Sequence, residues 1–154
     1  MRGLRLTLLG LVLLPLFAIL PEASRADDPI GQVKTASGEV TVQRAGASNK
    51  LGIGDHVFQS DVIATGHDGA VGVTFADNTM MSLGPDSRLS LDQFSFDTTT
   101  HVGAFDSSLT SGTLAVKSGQ IVKQTPEAMH VKTPGALLVV RGTEFVVRAD
   151  GGGS

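Results

Sequence analysis

Apolar and polar residues alternate along much of the chain from position 38 onward, with the two-residue period of half-buried β-strands. In the first such stretch, Val40 and Val42 alternate with Glu39, Thr41 and Gln43. Shorter apolar pieces at 57–58 and 62–63 lie among glycine and aspartate residues. This part of the chain is therefore predicted to form brief strands joined by turns.

The clearest alternation spans positions 71 to 83. Val71, Val73 and Phe75 alternate with small or polar residues, and Met81 and Leu83 resume the pattern. Between these two runs, the sequence Ala-Asp-Asn-Thr at 76–79 supplies turn-forming residues. The stretch predicts a β-hairpin.

A change of parity follows the turn that Gly-Pro-Asp-Ser predicts at 84–87. Leu89 and Leu91 lie on one parity of the next strand, and Phe94 and Phe96 lie on the other. A one-residue shift moves every later side chain to the opposite face of a strand unless an extra residue is inserted. A β-bulge or break is therefore expected near 92–93.

The polar stretch DTTTHVGAFDSS at 97–108 is predicted to be a loop or a poorly ordered excursion. Strand patterns return at 111–117 and at 129–133, and VVRGTEFVV at 139–147 contains the last two strand pieces. After residue 26, the sequence has no convincing apolar pattern at helical spacing. These patterns predict an all-β fold, a single domain of many short antiparallel strands.

The first 26 residues have the layout of a secretory signal peptide. Arg2 and Arg5 precede an apolar stretch at 6–20, Pro21 follows it, and cleavage is predicted after Ala26. A retained membrane anchor is the alternative, but a bilayer needs roughly 20 apolar residues and this stretch has about 15. The predicted organisation is a signal peptide at 1–26, a β domain at 27–150 and a flexible tail at 151–154. The expected location is the periplasm or the exterior.

Composition excludes several classes of function. Without residues 1–26 the chain has 9 basic and 14 acidic residues, a net charge of −5, so nucleic acid is not an expected partner. The chain has no cysteine, which removes disulfides, thiolate catalysis and cysteine-type zinc sites. It also has no Trp or Tyr, the side chains on which sugars and bases usually stack, so a function in binding glycans or single-stranded nucleic acid is not expected.

The sequence offers no convincing catalytic or metal site. Four histidines, at 56, 67, 101 and 130, lie far apart and form no H-x-H or H-E-x-x-H spacing, so solvated loop positions are expected for them. No G-x-S-x-G motif occurs. Asp55, Asp61 and Asp68 could converge on Ca²⁺, but no D-x-D-x-D-G run supports this, so turn-forming roles are favoured. No catalytic residue, metal or cofactor is predicted.

The charged centre of VVRGTEFVV leaves two interpretations open. Gly142 lacks a Cβ and allows a bend in a core strand, in which case Arg141 and Glu144 are solvated or paired with each other. Alternatively, Arg141, Gly142, Thr143 and Glu144 form a partner-binding edge. A β domain of short strands can accept a partner's strand at an exposed edge, because edges carry unpaired N–H and C=O groups.

Four motifs in a fixed order resemble a known family. They are G-E-V-x-V-x-R, then L-x-x-G-D-x-V-x-x-x-D-V-I-x-T-G, then V-x-V-x-F-A-D-N-T-x-x-x-L-G-P-D-S-x-L, and finally V-K-T-P-G-A-L-L-V-V-R-G-T-E-F-V-V. Together they resemble the FecR domain over residues 38 to 148. Two positions depart from the family pattern. Ser60 stands where glycine is more frequent, and Asn78 stands where the glycine of Asp-Gly-Ser or Asp-Gly-Thr is usual. Asn tolerates left-handed turn geometry, so the second departure is mild.

Within these motifs, several residues are expected to have structural roles. They are Gly54, Asp55, Asp61, Thr65, Gly66, Asp77, Pro85 and Pro134. The resemblance implies a periplasmic β-rich domain, sandwich-like or solenoid-like. In the family, such a domain relays a signal from an outer-membrane siderophore transporter to a cytoplasmic sigma factor.

Only five residues precede the apolar stretch, so a free-standing exported domain without the sigma-factor end is expected. The expected function is protein–protein contact in envelope signalling, with regulation of iron or siderophore uptake as its context. The expected partner is an envelope protein such as a TonB-dependent transporter or an anti-sigma regulator. A structural envelope or matrix scaffold is the alternative. A ferric chelate is a poor direct ligand, because many such complexes are anionic and the chain is acidic.

Overall fold

The computed structural model describes residues 27–151, which form twelve strands and one short helix. The predicted signal peptide and residues 152–154 of the predicted tail lie outside the described residues. The first six strands are β1 (Gly31–Ser37), β2 (Val40–Arg44), β3 (Ala47–Lys50), β4 (His56–Val57), β5 (Val62–Thr65) and β6 (Ala70–Phe75). The remaining elements are β7 (Met80–Leu83), β8 (Arg88–Phe96), β9 (Gly103–Lys117), α1 (Gln120–Gln124), β10 (Met129–Thr133), β11 (Ala136–Val139) and β12 (Glu144–Ala149).

The strands form two layers that share β9. Layer A has the order β4-β1-β6-β7-β9-β12, and layer B has the order β3-β2-β5-β8-β9-β10-β11. The first part of β9 pairs with β8 and β10 in layer B, and its last six residues pair with β12 in layer A. The all-β single-domain prediction is therefore confirmed, as a curled sheet folded back on itself.

The layers meet at a corner where the chain turns from one sheet into the other. The connections at 38–39, 66–69 and 84–87 pass from one layer to the other at this corner, and β9 bends there at Gly112. Gly112 has a φ of +89°, and a Cβ at this position would overlap the side chain of Ser87. Only glycine combines that backbone conformation with such a close approach.

Side-chain hydrogen bonds join neighbouring connections at this corner. The Thr65 hydroxyl donates to the carbonyl of Gly84 at 2.6 Å and accepts from the N–H of Ser87 at 2.9 Å. The Ser87 hydroxyl oxygen accepts from the N–H of Thr113 at 3.0 Å. Thr65 and Ser87 thus satisfy backbone groups that the bend removes from the strand ladders.

The core lies between the two layers, and aromatic rings connect them. Phe75 of layer A packs edge-to-face on Phe105 of layer B, with ring centroids 4.7 Å apart. Phe105 also packs edge-to-face on Phe94, at 5.0 Å. Alternating residues of both layers, including Val73, Met81 and other aliphatic side chains, complete the buried interior.

Most strands predicted from alternation are present. The hairpin of β6 and β7 turns at 76–79, and β10 and β12 occupy predicted C-terminal positions. The strand piece predicted at the start of 139–147 is displaced, because β11 lies at Ala136–Val139 and ends where the prediction began. The register between β8 and β9 shifts between Leu91 and Gln93, which confirms the bulge inferred from the change of parity. β1 and β3 have no counterpart among the predicted strands.

Three features differ from expectation. The predicted loop at 97–108 is wrong in its second half, because β9 begins at Gly103 and continues for 15 residues. The helix α1 was not predicted, and its five residues are too few to show a helical period. β10 pairs parallel to β9, whereas the other paired strands of residues 27–151 are antiparallel.

The turn before β9 depends on one exposed carboxylate. The N–H groups of Thr100 and Thr99 donate to Asp97, at 2.9 and 2.8 Å, and these bonds lower the pKa of Asp97. A carboxylate with a lowered pKa stabilises the fold above its ordinary pKa, and this contribution is lost as pH falls through the lowered value.

We therefore expect the amide NMR signals of Thr99 and Thr100 to titrate at a lower pH than a carboxyl group in an unfolded peptide. The Asp97→Asn variant is the control, since its turn has no carboxylate to protonate. Titration of these amides at the ordinary aspartate pKa in the unmodified chain would contradict the assignment.

Candidate partner-binding edge

The segment 136–149 crosses from layer B to layer A. β11 ends at Val139, residues 140–143 form a bend, and β12 begins at Glu144. Val140 is buried, and its N–H donates to the carbonyl of Met129 at 2.9 Å. Gly142 has a φ of +104°, a backbone conformation that favours glycine. The centre of VVRGTEFVV is thus the bend between two strands of different layers.

Ser118 fixes this bend from the end of β9. Its hydroxyl donates to the carbonyl of Gly142 at 2.6 Å, and its N–H donates to the carbonyl of Thr143 at 2.8 Å. The side chain of Ser118 lies in a buried position. The carbonyls of Gly142 and Thr143 are therefore held by the fold itself.

The two charged residues of the bend have different partners from the predicted one. Arg141 pairs with Glu127, and Glu144 lies 3.7 Å from Lys117, so of the two alternatives the mutual Arg141–Glu144 pair is wrong and the solvated positions agree with the structure. The side chains of Arg141 and Glu144 are 68% and 69% exposed. Exposed ion pairs contribute little to stability, so both side chains can exchange their partners for those of a bound protein.

Four strands have a single neighbour among the described residues, namely β3, β4, β11 and β12. β4 has two residues, and β3 is a polar strand, Ala-Ser-Asn-Lys, that ends in a lysine. Short length and lysine are common protections against edge pairing. β11 reads Ala-Leu-Leu-Val, and β12 reads Glu-Phe-Val-Val-Arg-Ala. The apolar edges thus both belong to the segment 136–149.

The hydrogen-bond alternation shows which backbone groups of β12 are open. In an antiparallel pair, every second residue of a strand forms backbone hydrogen bonds with the neighbouring strand. Thr143 lies opposite Ser118 in the register and accepts its N–H, so the residues of β12 that form backbone hydrogen bonds with β9 have odd numbers. The N–H and C=O groups of Glu144, Val146 and Arg148 consequently point away from β9. A strand placed beside β12 would meet all three donor–acceptor pairs.

A shallow groove of about 410 Å³ follows the outer face of layer A beside β12. Ser82 and Ala115 lie opposite each other at its floor, in register with Val146. Met80 and Val146 border the groove and are 50% and 69% exposed. Small residues at the floor and exposed apolar residues at the border give the groove the character of a protein contact surface.

Two of the family-motif positions shape the turn before β4. Gly54 has a φ of +89°, and its N–H donates to the carbonyl of Val33 at 2.9 Å. The carboxylate of Asp55 accepts the N–H of Gly52 at 2.7 Å. Both residues serve the turn that places β4 beside β1.

Asp61 and Asp77 are fully buried. Asp61 accepts two hydrogen bonds from the guanidinium of Arg44, at 2.6 and 2.8 Å. The hydrogen bonds to Asp61 raise the pKa of Arg44. Asp77 accepts bonds from Thr79 and from the N–H of Ile121, so it joins the β6–β7 turn to α1. The geometry assigns both carboxylates to the fold.

The remaining motif residues lie at the corner and in one hairpin turn. Thr65, Gly66 and Pro85 belong to the corner connections, where the N–H of Gly66 donates to the carbonyl of Glu39 at 2.9 Å. Pro134 lies in the turn between β10 and β11. These residues lie apart from the bend at 140–143, and the partner-binding role of Arg141, Gly142, Thr143 and Glu144 stays a prediction.

The histidines are less uniform than expected. His130 lies on β10 and is half-buried, with Nδ1 2.7 Å from the carboxylate of Asp106, so its predicted loop position is wrong. His67 is exposed and pairs with Asp86. Within residues 27–151, no group of three or more His, Asp or Glu side chains is arranged to hold a metal ion. That same part of the chain contains no helix with the length and apolar character to cross a membrane.

Comparison with known families gives one match. The family model described as FecR protein matches residues 61–154, which include every element from β5 to β12. The chain belongs to the FecR family. No curated protein sequence and no solved structure matched it significantly.

Membership of the FecR family places the chain among regulatory domains of envelope signalling. FecR domains generally face the periplasm. The matched region contains the whole segment 136–149, with β11, the bend and β12. The two apolar edge strands are therefore part of the FecR domain proper.

Sequence reasoning identified the bend but missed residues that define the surface around it. Leu137, Val139 and Val146 are exposed at 66%, 44% and 69%. They lie in the continuous apolar runs ALLVV and FVV, and a sequence does not reveal which strand lacks a neighbour. Ser118 belongs to no sequence motif that marks its role, which is to hold the bend.

Proposed function

We propose that this FecR domain acts by binding an envelope protein along the segment 136–149, without catalysing a reaction. In this proposal, Arg141, Gly142, Thr143 and Glu144 form the centre of the contact surface. Leu137 and Val139 extend it along β11, and β12 extends it on the other side. The observation that carries the proposal is that both apolar edge strands flank this one bend.

The physical reason for partner binding is the combination of open backbone groups with exposed apolar side chains. Soluble domains usually protect long apolar edges, because such edges pair with other chains. Leu137 and Val146 are exposed at 66% and 69%, yet no proline interrupts β11 or β12. An edge of this kind is suited to strand addition by a partner.

A binding role rather than an enzymatic one is supported by the character of the polar clusters. Asp61 and Asp77 are buried and bonded to groups of the fold. The pair His130–Asp106 has the contact of a base with its orienting carboxylate, but the hydroxyl of neighbouring Ser108 donates to Asp92. A hydroxyl that donates to a different carboxylate is not activated by that histidine.

We further propose that the binding partner belongs to an iron-uptake signalling system, and that the domain is exported. The partner would be a TonB-dependent transporter or an anti-sigma regulator. An acidic chain suits a protein partner better than an anionic ferric chelate, which would need clustered cationic side chains. Residues 1–26 would direct export as a signal peptide, and their cleavage would release the domain into the periplasm.

The proposal is tested by affinity capture from envelope extract, with residues 27–154 as bait. Three baits are compared, namely the unmodified chain, Arg141→Ala with Glu144→Ala, and the control Lys34→Ala with Glu39→Ala. Each double variant removes one exposed cation and one exposed anion. We expect a transporter or anti-sigma regulator, identified by mass spectrometry, on the unmodified chain and the control. At least a tenfold loss is expected with the bend variant.

Two results would count against the proposal. Equal capture by all three baits would remove the bend from the contact surface. If no envelope signalling protein is captured by the unmodified bait, the structural scaffold function replaces the proposed one. Circular dichroism of the variants checks that the fold is retained.

A further inference from the structure

The open edge of β12 carries opposite charges at equal distances on either side of Val146. Glu144 lies two residues before Val146 and Arg148 lies two residues after it, and all three side chains are on the exposed face of the strand. The N–H and C=O groups of the same three residues point away from β9. Among the described residues, no strand pairs with this edge.

An antiparallel strand with the same order of residues complements this edge. When Val146 lies opposite Val146 of a second copy, Glu144 lies opposite Arg148 of that copy, and Arg148 lies opposite its Glu144. Opposite charges that face each other across two strands stabilise the pair, whereas like charges destabilise it. The strand that complements β12 is therefore β12 itself.

The charges select one alignment of the two β12 strands. Because the open backbone groups belong to even-numbered residues, one copy can slide along the other only in steps of two residues. One step places Glu144 opposite Val146 in one direction and opposite Asp150 in the other. A second step places Glu144 opposite Glu144, or Arg148 opposite Arg148. The alignment centred on Val146 is the one that pairs both charged residues with opposite charges.

The inward face of β12 is complementary in the same alignment. Phe145 lies opposite Val147 of the second copy, and Val147 lies opposite its Phe145. Both side chains are partly buried and pack against the core of their own copy. These residues exchange no backbone hydrogen bonds across the new contact, so their side chains lie close together. Aromatic residues paired with β-branched residues stabilise antiparallel strands.

The neighbouring strand β9 extends the charge pattern. Lys117 lies opposite Glu144 in the register, with Nζ 3.7 Å from the carboxylate. Pairing with a second copy places Glu144 between Lys117 of its own chain and Arg148 of the other. Arg148 lies opposite Thr113 of β9, so no cation opposes it there. Exposed charges that form a network contribute more than an isolated exposed pair.

We propose that two copies of this FecR domain form a symmetric dimer through antiparallel pairing of their β12 strands, with Val146 at the two-fold axis. The contact uses the same patch on both copies, so it closes at two chains. Because one strand pair is a small interface, a Kd of about 0.1 mM is expected. The chain is then monomeric at the micromolar concentrations of the capture experiment. An envelope protein that adds a strand to β12 displaces the second copy.

The test is sedimentation equilibrium of residues 27–154 from micromolar to millimolar concentration, with the charge-reversal variants Glu144→Arg and Arg148→Glu. Each single variant places like charges opposite each other at both ends of the strand pair, so its self-association should be about tenfold weaker. A mixture of the two variants restores opposite charges at both ends. The mixed dimer should have a Kd within about threefold of that of the unmodified chain. Recovery in the mixture excludes a folding defect as the cause.

A second pair of variants identifies the strand. Val146→Lys brings two ammonium groups together at the two-fold axis and should abolish the dimer up to millimolar concentration. Leu137→Lys is the matched control, because it introduces the same charge on β11 at a position that is 66% exposed, against 69% for Val146. This control should leave the dimer unchanged.

The alignment is measured by NMR on a mixture of ¹³C-labelled and unlabelled chains. We expect a nuclear Overhauser effect between the Hα of Phe145 in one copy and the Hα of Val147 in the other. Facing residues that exchange no backbone hydrogen bonds have the shorter Cα–Cα distance in an antiparallel pair.

A chain that stays monomeric at millimolar concentration would overturn this inference. So would self-association that survives Val146→Lys, is lost in Leu137→Lys, is not restored in the mixture of charge-reversed variants, or grows beyond two copies. These results leave the proposed function intact, since capture of the envelope partner is measured separately. If no envelope partner is captured, the proposed function fails and the dimer stands.

Discussion

Replacing Asp77 with alanine should lower the free energy of unfolding by about 4 kcal/mol, because several buried donors lose their acceptor together. The carboxylate of Asp77 accepts the N–H of Thr79 at 3.0 Å, the hydroxyl of Thr79 at 2.7 Å and the N–H of Ile121 at 3.3 Å. Asp77 is fully buried, so water cannot take over these bonds. The β6–β7 turn and the start of α1 should loosen together.

Chemical denaturation of the unmodified chain, Asp77→Ala and Asp77→Asn measures this effect. The Asn variant keeps one acceptor oxygen and should lose about half as much stability as the Ala variant. Glu39→Ala is a control at an exposed acidic position and should stay within about 0.5 kcal/mol of the unmodified chain. An Ala variant as stable as this control would show that the bonds of Asp77 are dispensable.

The second large effect is expected at Asp61, where alanine should cost about 3 kcal/mol. Asp61 is fully buried and accepts the Nε and a terminal nitrogen of Arg44, at 2.8 and 2.6 Å, as well as the N–H of Phe58 at 2.9 Å. The guanidinium of Arg44 also lies 4.3 Å from the ring centroid of Phe58. Removal of the carboxylate leaves the Phe58 N–H without its acceptor and frees the Arg44 side chain from the turn that precedes β5.

Because the Arg44 side chain is 44% exposed, water can solvate it once its partner is lost. Arg44→Ala should likewise be destabilising, since it leaves a buried carboxylate with one fewer partner. A double-mutant cycle with Asp61→Ala and Arg44→Ala should show a coupling energy of about 1 kcal/mol or more. Additive single-variant effects in thermal and chemical unfolding would contradict a stabilising contact between Arg44 and the buried Asp61.

Hydrophobic alternation was sufficient to locate strands with a regular apolar face. Val71, Val73 and Phe75 are all buried on one side of β6, and the sequence pattern had assigned them together. The parity change between Leu91 and Phe94 likewise identified a real bulge. In such strands, one face meets the core and the other meets water, so local sequence records the environment.

β9 was only partly recognised for a physical reason. Its buried positions in layer B are Phe105, Ser107 and Leu109, so a serine interrupts the apolar series. The parity of the buried face then changes across the bend at Gly112, where Leu114 and Val116 become the inward residues. A strand that serves two layers therefore shows no single period along its length.

The helix α1 and the open edge could not be read from local sequence at all. The first turn of α1 depends on Asp77, more than 40 residues earlier in the chain, which accepts the N–H of Ile121. The edge of β12 is open because, among the described residues, β12 pairs with β9 alone. Both features depend on how distant segments pair, and alternation within a segment carries no information about this.

The most direct test of partner binding along 136–149 is hydrogen–deuterium exchange of residues 27–154. Exchange is measured with and without the envelope protein recovered in the capture experiment. We predict slower exchange at 136–149, strongest for the outward amides of Glu144, Val146 and Arg148, and unchanged exchange at β3 and β4 on the opposite edge. Protection concentrated at β3 and β4, with 136–149 unchanged, would contradict the account.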